Sequence, residues 1–223
     1  MCASRSRIVL ATAAVVAAVA VPAAAGRRSE AAAIAFSVES DAPDRYSVRA
    51  SFEANAPVEV AWDVLSDYER IVKFVTSVKT SRVREREANR VVVEQEGVGR
   101  VLLFSKRVHV VLEILEDPGR SLTFRDLCGR DFRSYAGSWR LEATPRGARV
   151  SYSLEAAPIS GGPSFAVRKV LRDSARKHLQ QVRAEIERRA LRDRAAAWPS
   201  APLPSAGVRS ARHRGRLAQR PPF

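Results

Sequence analysis

Between Pro163 and Leu191 apolar side chains recur with helical spacing. At 100° per residue Val167, Leu171, Ala175, His178, Leu179, Val182 and Ile186 share one broad arc. Lys169, Asp173, Arg176, Lys177, Gln180, Arg183 and Glu187 lie mostly opposite. Gly161-Gly162-Pro163 breaks the chain just before this segment, and a proline at a first helical position lacks only an N–H that no helix bond needs. No Gly or Pro follows until the segment ends, so the pattern predicts one helix of roughly 40 Å. A helix with a single apolar arc, placed after a run of strands, predicts a concave sheet to bury it.

Upstream the period changes from helical to two. Tyr46, Val48, Ala50 and Phe52 alternate with Ser47, Arg49, Ser51 and Glu53, which predicts a half-buried strand over Tyr46–Glu53. Asn55-Ala56-Pro57 then stops the strand and opens a helix, with Asn55 or Ala56 as cap and Val60, Ala61, Val64 and Leu65 as its apolar side. Ser66-Asp67 predicts the cap of a second short helix, Tyr68 to Phe74. Further strands are predicted at Val78–Glu87, Arg90–Gly97, Val101–Glu116, Ser121–Asp126, Ser134–Ala143 and Ala148–Glu155. Ala88-Asn89, Gly97-Val98-Gly99, Asp117-Pro118-Gly119 and Pro145-Arg146-Gly147 punctuate them as hairpins. Along Val101–Glu116 the set Leu102, Phe104, Lys106, Val108, Val110, Leu112 and Ile114 would face the core, and Arg107, His109, Val111 and Glu113 the solvent. The predicted class is α+β: a curved seven-stranded antiparallel sheet around a long C-terminal helix, with two short helices after the first strand.

Charge changes the picture mainly at the ends. The formal net charge is +14, yet residues 29–191 hold 27 basic and 23 acidic side chains. The body is therefore near neutral and shows no nucleic-acid footprint, which would place basic groups on a folded face. Arg5 and Arg7 precede an uncharged apolar run from Ile8 to Val21, and Ala23-Ala24-Ala25 follows. That order predicts a signal peptide over residues 1–25 and an exported protein, periplasmic or secreted; an uncleaved segment would anchor it instead. The run is short for a membrane span of about 20 residues. Residues 26–44 are expected to be a linker to a domain over 45–191. Residues 192–223, rich in Pro and Arg, are expected to lack fixed structure. This basic tail is a candidate for peripheral contact with anionic membrane. With Cys2 and Cys128 as the only cysteines and three histidines, neither a disulfide framework nor a zinc site is expected.

The segment Ala56-Pro57-Val58-Glu59-Val60-Ala61-Trp62-Asp63-Val64-Leu65-Ser66-Asp67-Tyr68-Glu69, followed by Phe74, resembles the START-like (SRPBCC, or Bet v 1-like) superfamily. It looks most like the bacterial polyketide cyclase/dehydrase and coenzyme Q-binding branch. Gly129-Arg130-Asp131-Phe132, Gly137-Ser138-Trp139-Arg140-Leu141 and Val150-Ser151-Tyr152-Ser153-Leu154 extend the likeness over about Tyr46 to Ala190. The resemblance implies a helix-grip fold with a hydrophobic cavity between sheet and helix. It does not select an activity, because such folds host carriers, quinone binders and cyclases alike.

No paired-histidine zinc motif, phosphate-cradling glycine loop or serine elbow stands out, and no cofactor or metal is expected. Phe74, Phe104, Phe124, Trp139, Tyr152, Leu171 and His178 are the expected lining of the cavity. His178, inside the apolar arc, could hydrogen-bond a ligand carbonyl or move a proton; as an ordinary helix histidine it would be satisfied by backbone or water. Trp139 shares a strand face with Gly137 and Leu141 and should point inward. Lys106, Arg125 and Arg133 could meet a polar head group, or simply be solvated. The leading expectation is a monomeric, non-enzymatic protein that binds or carries a lipid, quinone or polyketide-like aromatic. An aromatase/cyclase-type enzyme using His178 with Tyr152 or Arg125 is the alternative, and a ligand-free envelope interaction module is the third.

Overall fold

A computed structural model describes residues 34–101, 104–159 and 163–197; the side chains of 41, 100, 101 and 104–106 lie outside that description. The expected signal segment, and the tail beyond residue 197, fall outside the described residues. The strands are β1 (Ala35–Ala42), β2 (Arg45–Ala54), β3 (Val78–Glu87), β4 (Arg90–Val101), β5 (Phe104–Asp117), β6 (Ser121–Asp126), β7 (Phe132–Thr144) and β8 (Gly147–Pro158). The helices are α1 (Val58–Leu65) and α2 (Ser164–Ala197). The strands form one antiparallel sheet in the order β1-β2-β8-β7-β6-β5-β4-β3. Between β2 and β3 the chain crosses from one side of the sheet to its far edge, carried by α1. Helix α2 touches β1 and β2 on one side and β4 on the other, so the sheet curls around it.

The sheet has eight strands and not seven. The extra one, β1, lies in the stretch expected to be a linker. Its alternation is short, with Phe36 and Val38 inward and Ser37 and Glu39 outward, and Pro43-Asp44 turns it back onto β2. Asp44 takes φ 58°, a left-handed conformation that Asp tolerates better than most residues. The opposite edge is guarded differently. Strand β3 carries Lys79, Arg82, Arg84, Glu85, Arg86 and Glu87, and such charges discourage pairing with another chain.

Only one short α-helix follows β2. The second expected helix is a single 3-10 turn, Arg70–Lys73. The Tyr68 carbonyl, which a helix would need for its ladder, instead accepts a hydrogen bond from the Ser81 hydroxyl at 2.7 Å. The Tyr68 hydroxyl donates to Glu116 at 2.7 Å, which ties this residue to β5. Pro57 occupies the N-cap of α1 without a side-chain cap, so neither Asn55 nor Ala56 serves there. Asp67 is not a cap either; it accepts from Arg189 at 2.7 Å.

Gly97-Val98-Gly99 is not a hairpin but continues β4, and a Cβ on Gly97 would lie 3.0 Å from the Ser77 carbonyl oxygen. Helix α2 runs six residues past its expected end, through an Ala/Arg-rich stretch favourable to helix, and Arg194 donates to the Asn55 carbonyl.

The two halves of α2 do different work. Leu179, Val182, Ile186 and Ala190 are buried against the sheet and α1, and belong to the same core as Phe52, Val91, Leu122, Trp139 and Val150. Glu185 is buried with them, and hydrogen bonds from Arg189 (2.7 Å) and Arg188 neutralise it. Burial by itself would raise its pKa, but these guanidinium contacts outweigh that and hold the carboxyl below the ordinary range. Arg189 thereby bridges α2 to Asp67, next to α1. The first half, Ala166 to His178, has no fully buried residue.

Candidate ligand cavity

The first half of α2 spans a cavity of about 310 Å³. Ala166, Val167, Val170, Leu171, Ser174, Ala175 and His178 form its roof. Gly97 and Gly99 of β4, Val108 and Val110 of β5, Phe132 and Tyr135 of β7, and Tyr152 and Leu154 of β8 form its walls. The reason lies in the two halves of the helix. Leucine, valine and isoleucine at 179, 182 and 186 reach the sheet, whereas Val167, Ser174 and Ala175 are too short to fill the wider end of the curl.

An aromatic row runs along the β6–β8 wall. Phe132 and Tyr135 rings are 4.7 Å apart, Phe124 is 5.9 Å from Tyr135 and 6.5 Å from Tyr152, and Trp139 is 4.5 Å from Tyr152 and 5.9 Å from His178. Offset and tilted rings at these spacings attract one another beyond their buried area. The row is possible because of Gly137, which shares a face with Tyr135 and Trp139. A Cβ there would fall 2.6 Å from Phe124 Cζ. Its absence lets the Phe124 ring lie flat on the sheet beside both tyrosines.

Polar groups are few. The His178 imidazole receives no hydrogen bond from any described residue, and burial lowers its pKa to about 4. Burial pushes the Tyr135 phenol up to about 12, with the neighbouring Tyr152 hydroxyl opposing the shift. Tyr152 is raised well above its ordinary value, chiefly by burial. All three are therefore neutral at neutral pH, able to donate or accept a hydrogen bond. At one end of the cavity Asp131 accepts the His109 backbone N–H at 2.9 Å, and Glu96, Ser77 and Gln95 stand nearby. No group of three His, Cys, Asp or Glu among the described residues is placed to hold a metal. Because folding depresses the His178 pKa, the stability tied to its neutral form is fully present above the unfolded value of about 6.5, and is lost as pH falls from there towards 4. Nitrogen-detected NMR of His178 should show little protonation above pH 5; a midpoint near 6.5 would mean an imidazole in contact with water.

Of the residues expected to line the cavity, Tyr152, Leu171 and His178 are on its surface. Phe124 and Trp139 are not among the lining residues but stand beside Tyr152 on the same face of the sheet. Phe74 lies elsewhere, under the Arg189 guanidinium. The Phe104 and Lys106 side chains are outside the described residues. Arg125 is on the outer face, paired with Glu113 at 2.6 Å, so the structure does not bring it to His178 and Tyr152. Arg133 is exposed and 3.7 Å from Asp44. His109 faces outward between Glu94 (3.6 Å) and Glu96 (3.8 Å), and Cys128 is exposed in the turn after β6. Tyr135 went unanticipated, although it alternates with Gly137 and Trp139 and so shares the inward face by the same period-two argument. The glycines of β4 were hidden because glycine reads first as a turn.

A family model described as "Polyketide cyclase / dehydrase and lipid transport" matches residues 45–187. Among solved structures, the Zhui aromatase/cyclase from Streptomyces sp. R1128 superposes with a TM-score of 0.58 at 19% identity, covering 69% of this chain and 98% of its own. A protein from Thermus thermophilus gives 0.54 at 24% identity, covering 68% and 99%. A STAR-related lipid transfer protein from Xanthomonas axonopodis gives 0.51 at 16% identity, covering 68% and 98%. At these identities the likeness is one of fold. No curated protein matches the chain in sequence.

Proposed function

Because this chain belongs to the polyketide cyclase/dehydrase and lipid transport family, and its cavity pairs an aromatic wall with an imidazole that no described residue hydrogen-bonds, we propose that it binds and carries one compact hydrophobic molecule bearing an oxygen near His178. The carrying observation is that imidazole: it opens onto an apolar cavity, and no described residue hydrogen-bonds either nitrogen. His178 is half-buried, so a guest carbonyl or hydroxyl would give its imidazole a partner in place of water. The volume is at the lower end of the 300–1,000 Å³ typical of small-molecule sites. It favours a single-chain or few-ring guest, such as a quinone head or a polycyclic phenol, over a two-chain lipid.

Carriage is favoured over catalysis by the same groups. A general acid or base works best with a pKa near the working pH. The imidazole sits far below neutrality and both phenols far above it. Transfer of a guest into the cavity needs none of them to ionise, since each Å² of apolar surface removed from water contributes about 25 cal/mol. The Arg-led apolar run at the N-terminus supports a carrier working outside the cytoplasm; intact mass of the exported chain would reveal the cut.

Native mass spectrometry of the purified protein, followed by organic extraction, is the direct test. One neutral oxygenated molecule per chain is expected, and His178→Ala should weaken its rebinding by about tenfold, the worth of one hydrogen bond. A chain that is empty and takes up no fluorescent apolar probe contradicts the reading. An empty chain with a turnover lost in His178→Ala would point to an enzyme instead.

A further inference from the structure

The rim of the cavity carries exposed apolar side chains that the core does not need. Phe165 is 69% exposed and adjoins Ala166 of the cavity roof; Ile159 is 49% exposed and adjoins the lining residue Pro158. The Ile159 N–H donates to the Asp131 carbonyl at 3.0 Å, which holds Ile159 beside the cavity wall. Exposed phenylalanine and isoleucine next to cavity-lining residues cost solubility, so their place calls for an explanation.

Charge supplies it. On a helix at 100° per residue, Phe165, Arg168, Lys169, Arg172 and Arg176 fall within an arc of about 100°. Arg168, Lys169, Arg172 and Arg176 are all exposed, and the only acid on this stretch of helix is Asp173, paired with Lys169 at 2.9 Å. Arg176 lies over the Phe36 ring of β1, 5.6 Å from its centroid. The cationic arc thus covers the outer side of α2, opposite the residues that roof the cavity, with an aromatic ring at its leading end. No described helix is long and apolar enough to cross a membrane, so a lipid contact made by this helix is peripheral.

We propose that this rim docks the protein on an anionic lipid bilayer, with Phe165 and Ile159 entering the headgroup boundary and the arginines of α2 meeting lipid phosphates. An exposed aromatic tip beside basic side chains suits an interface that is negative at its surface and oily just beneath. The surface belongs to the folded domain and is separate from the basic tail. The proposal rests on the reading of the cavity as a guest site only for its purpose; docking itself needs no guest.

Flotation of the full chain with vesicles of phosphatidylcholine containing about one third phosphatidylglycerol tests it. Binding is expected to these vesicles, to be weak on pure phosphatidylcholine, and to fall with added salt. Arg168→Gln with Arg172→Gln should lower partitioning about 30-fold, at roughly 1 kcal/mol per basic side chain. Phe165→Ser should lower it about tenfold, through lost apolar insertion. A full-length variant with Arg209, Arg212, Arg214 and Arg216 changed to Gln should retain sensitivity to both rim changes. Uptake of an apolar fluorescent probe in vesicle-free solution should be unchanged by the rim variants, so a failure of docking and a failure of the cavity reading register separately. Wild-type flotation of both rim variants overturns the proposal, as does flotation lost wholly with the tail arginines. Equal binding to polyglutamate, unaffected by Phe165→Ser, also overturns it, by assigning the surface to an acidic polymer.

Discussion

Replacing Ala175 with tryptophan is expected to abolish guest binding while the domain stays folded. Ala175 is half-buried on the cavity-facing side of α2, one turn from Leu171 and three residues before His178. A helical side chain leans back towards the N-terminus, so an indole at 175 projects into the space beside Leu171 and Ser174. It would take up much of the 310 Å³ that the short side chains leave open. Overpacking normally costs about 1–3 kcal/mol because a filled core cannot yield. Here the indole gains contacts with atoms that face a void, so the melting temperature should hold or rise. Titration with an apolar fluorescent probe should show affinity at least about 30-fold lower, close to 2 kcal/mol of lost burial. Unchanged affinity would place the guest somewhere other than under α2.

Gly137→Ala should be strongly destabilising for a substitution that adds a single methyl group. The added Cβ would sit far inside van der Waals contact with the Ser153 carbonyl oxygen and 2.6 Å from Phe124 Cζ. The first contact is backbone in the middle of the β7–β8 ladder and cannot step aside. The second belongs to the ring beside Tyr135 and Tyr152, so relief there collapses the aromatic wall. A loss above about 4 kcal/mol in urea unfolding is expected, in the range reserved for overpacking and strain. Gly129→Ala is the fitting comparison. Gly129 has φ 62° and nothing within 4 Å of the place a Cβ would take, so that change should cost only about 1 kcal/mol of backbone strain. A mild effect at Gly137 would show that the β7–β8 ladder can shift, and would weaken the account of why the wall is flat.

The long strands and α2 were legible because each buries one face only. Val110, Leu112 and Ile114 are buried and Leu115 is exposed, as period two requires. Where a second interaction competes with local pattern, the pattern misleads. Tyr68 sits in a helical context but gives its carbonyl to Ser81, and a helix became a single turn. Strand β1 has only two inward apolar residues, Phe36 and Val38, too few to rise above a linker's composition. Glu185 looks like a surface residue of a charged helix, and is buried because two arginines on its own helix reach it.

For the site, the alternation that marks an inward face put Trp139 on the concave side of the sheet, where it stands beside Tyr152. It could not separate the side chain that touches open space from the one beside it. That depends on how far the sheet curls and on how deep each roof residue reaches. By itself the amino-acid order determined a concave antiparallel sheet and the helix laid into it, since these follow from periodicity and local breaks, while the family likeness rested on its motifs. Only the tertiary structure decided that α2 seals at Leu179–Ala190 and stands clear at Ala166–His178, that Arg125 faces away, and that Phe165 meets solvent at the rim. Those are distances between elements remote in sequence, and local pattern carries no measure of them.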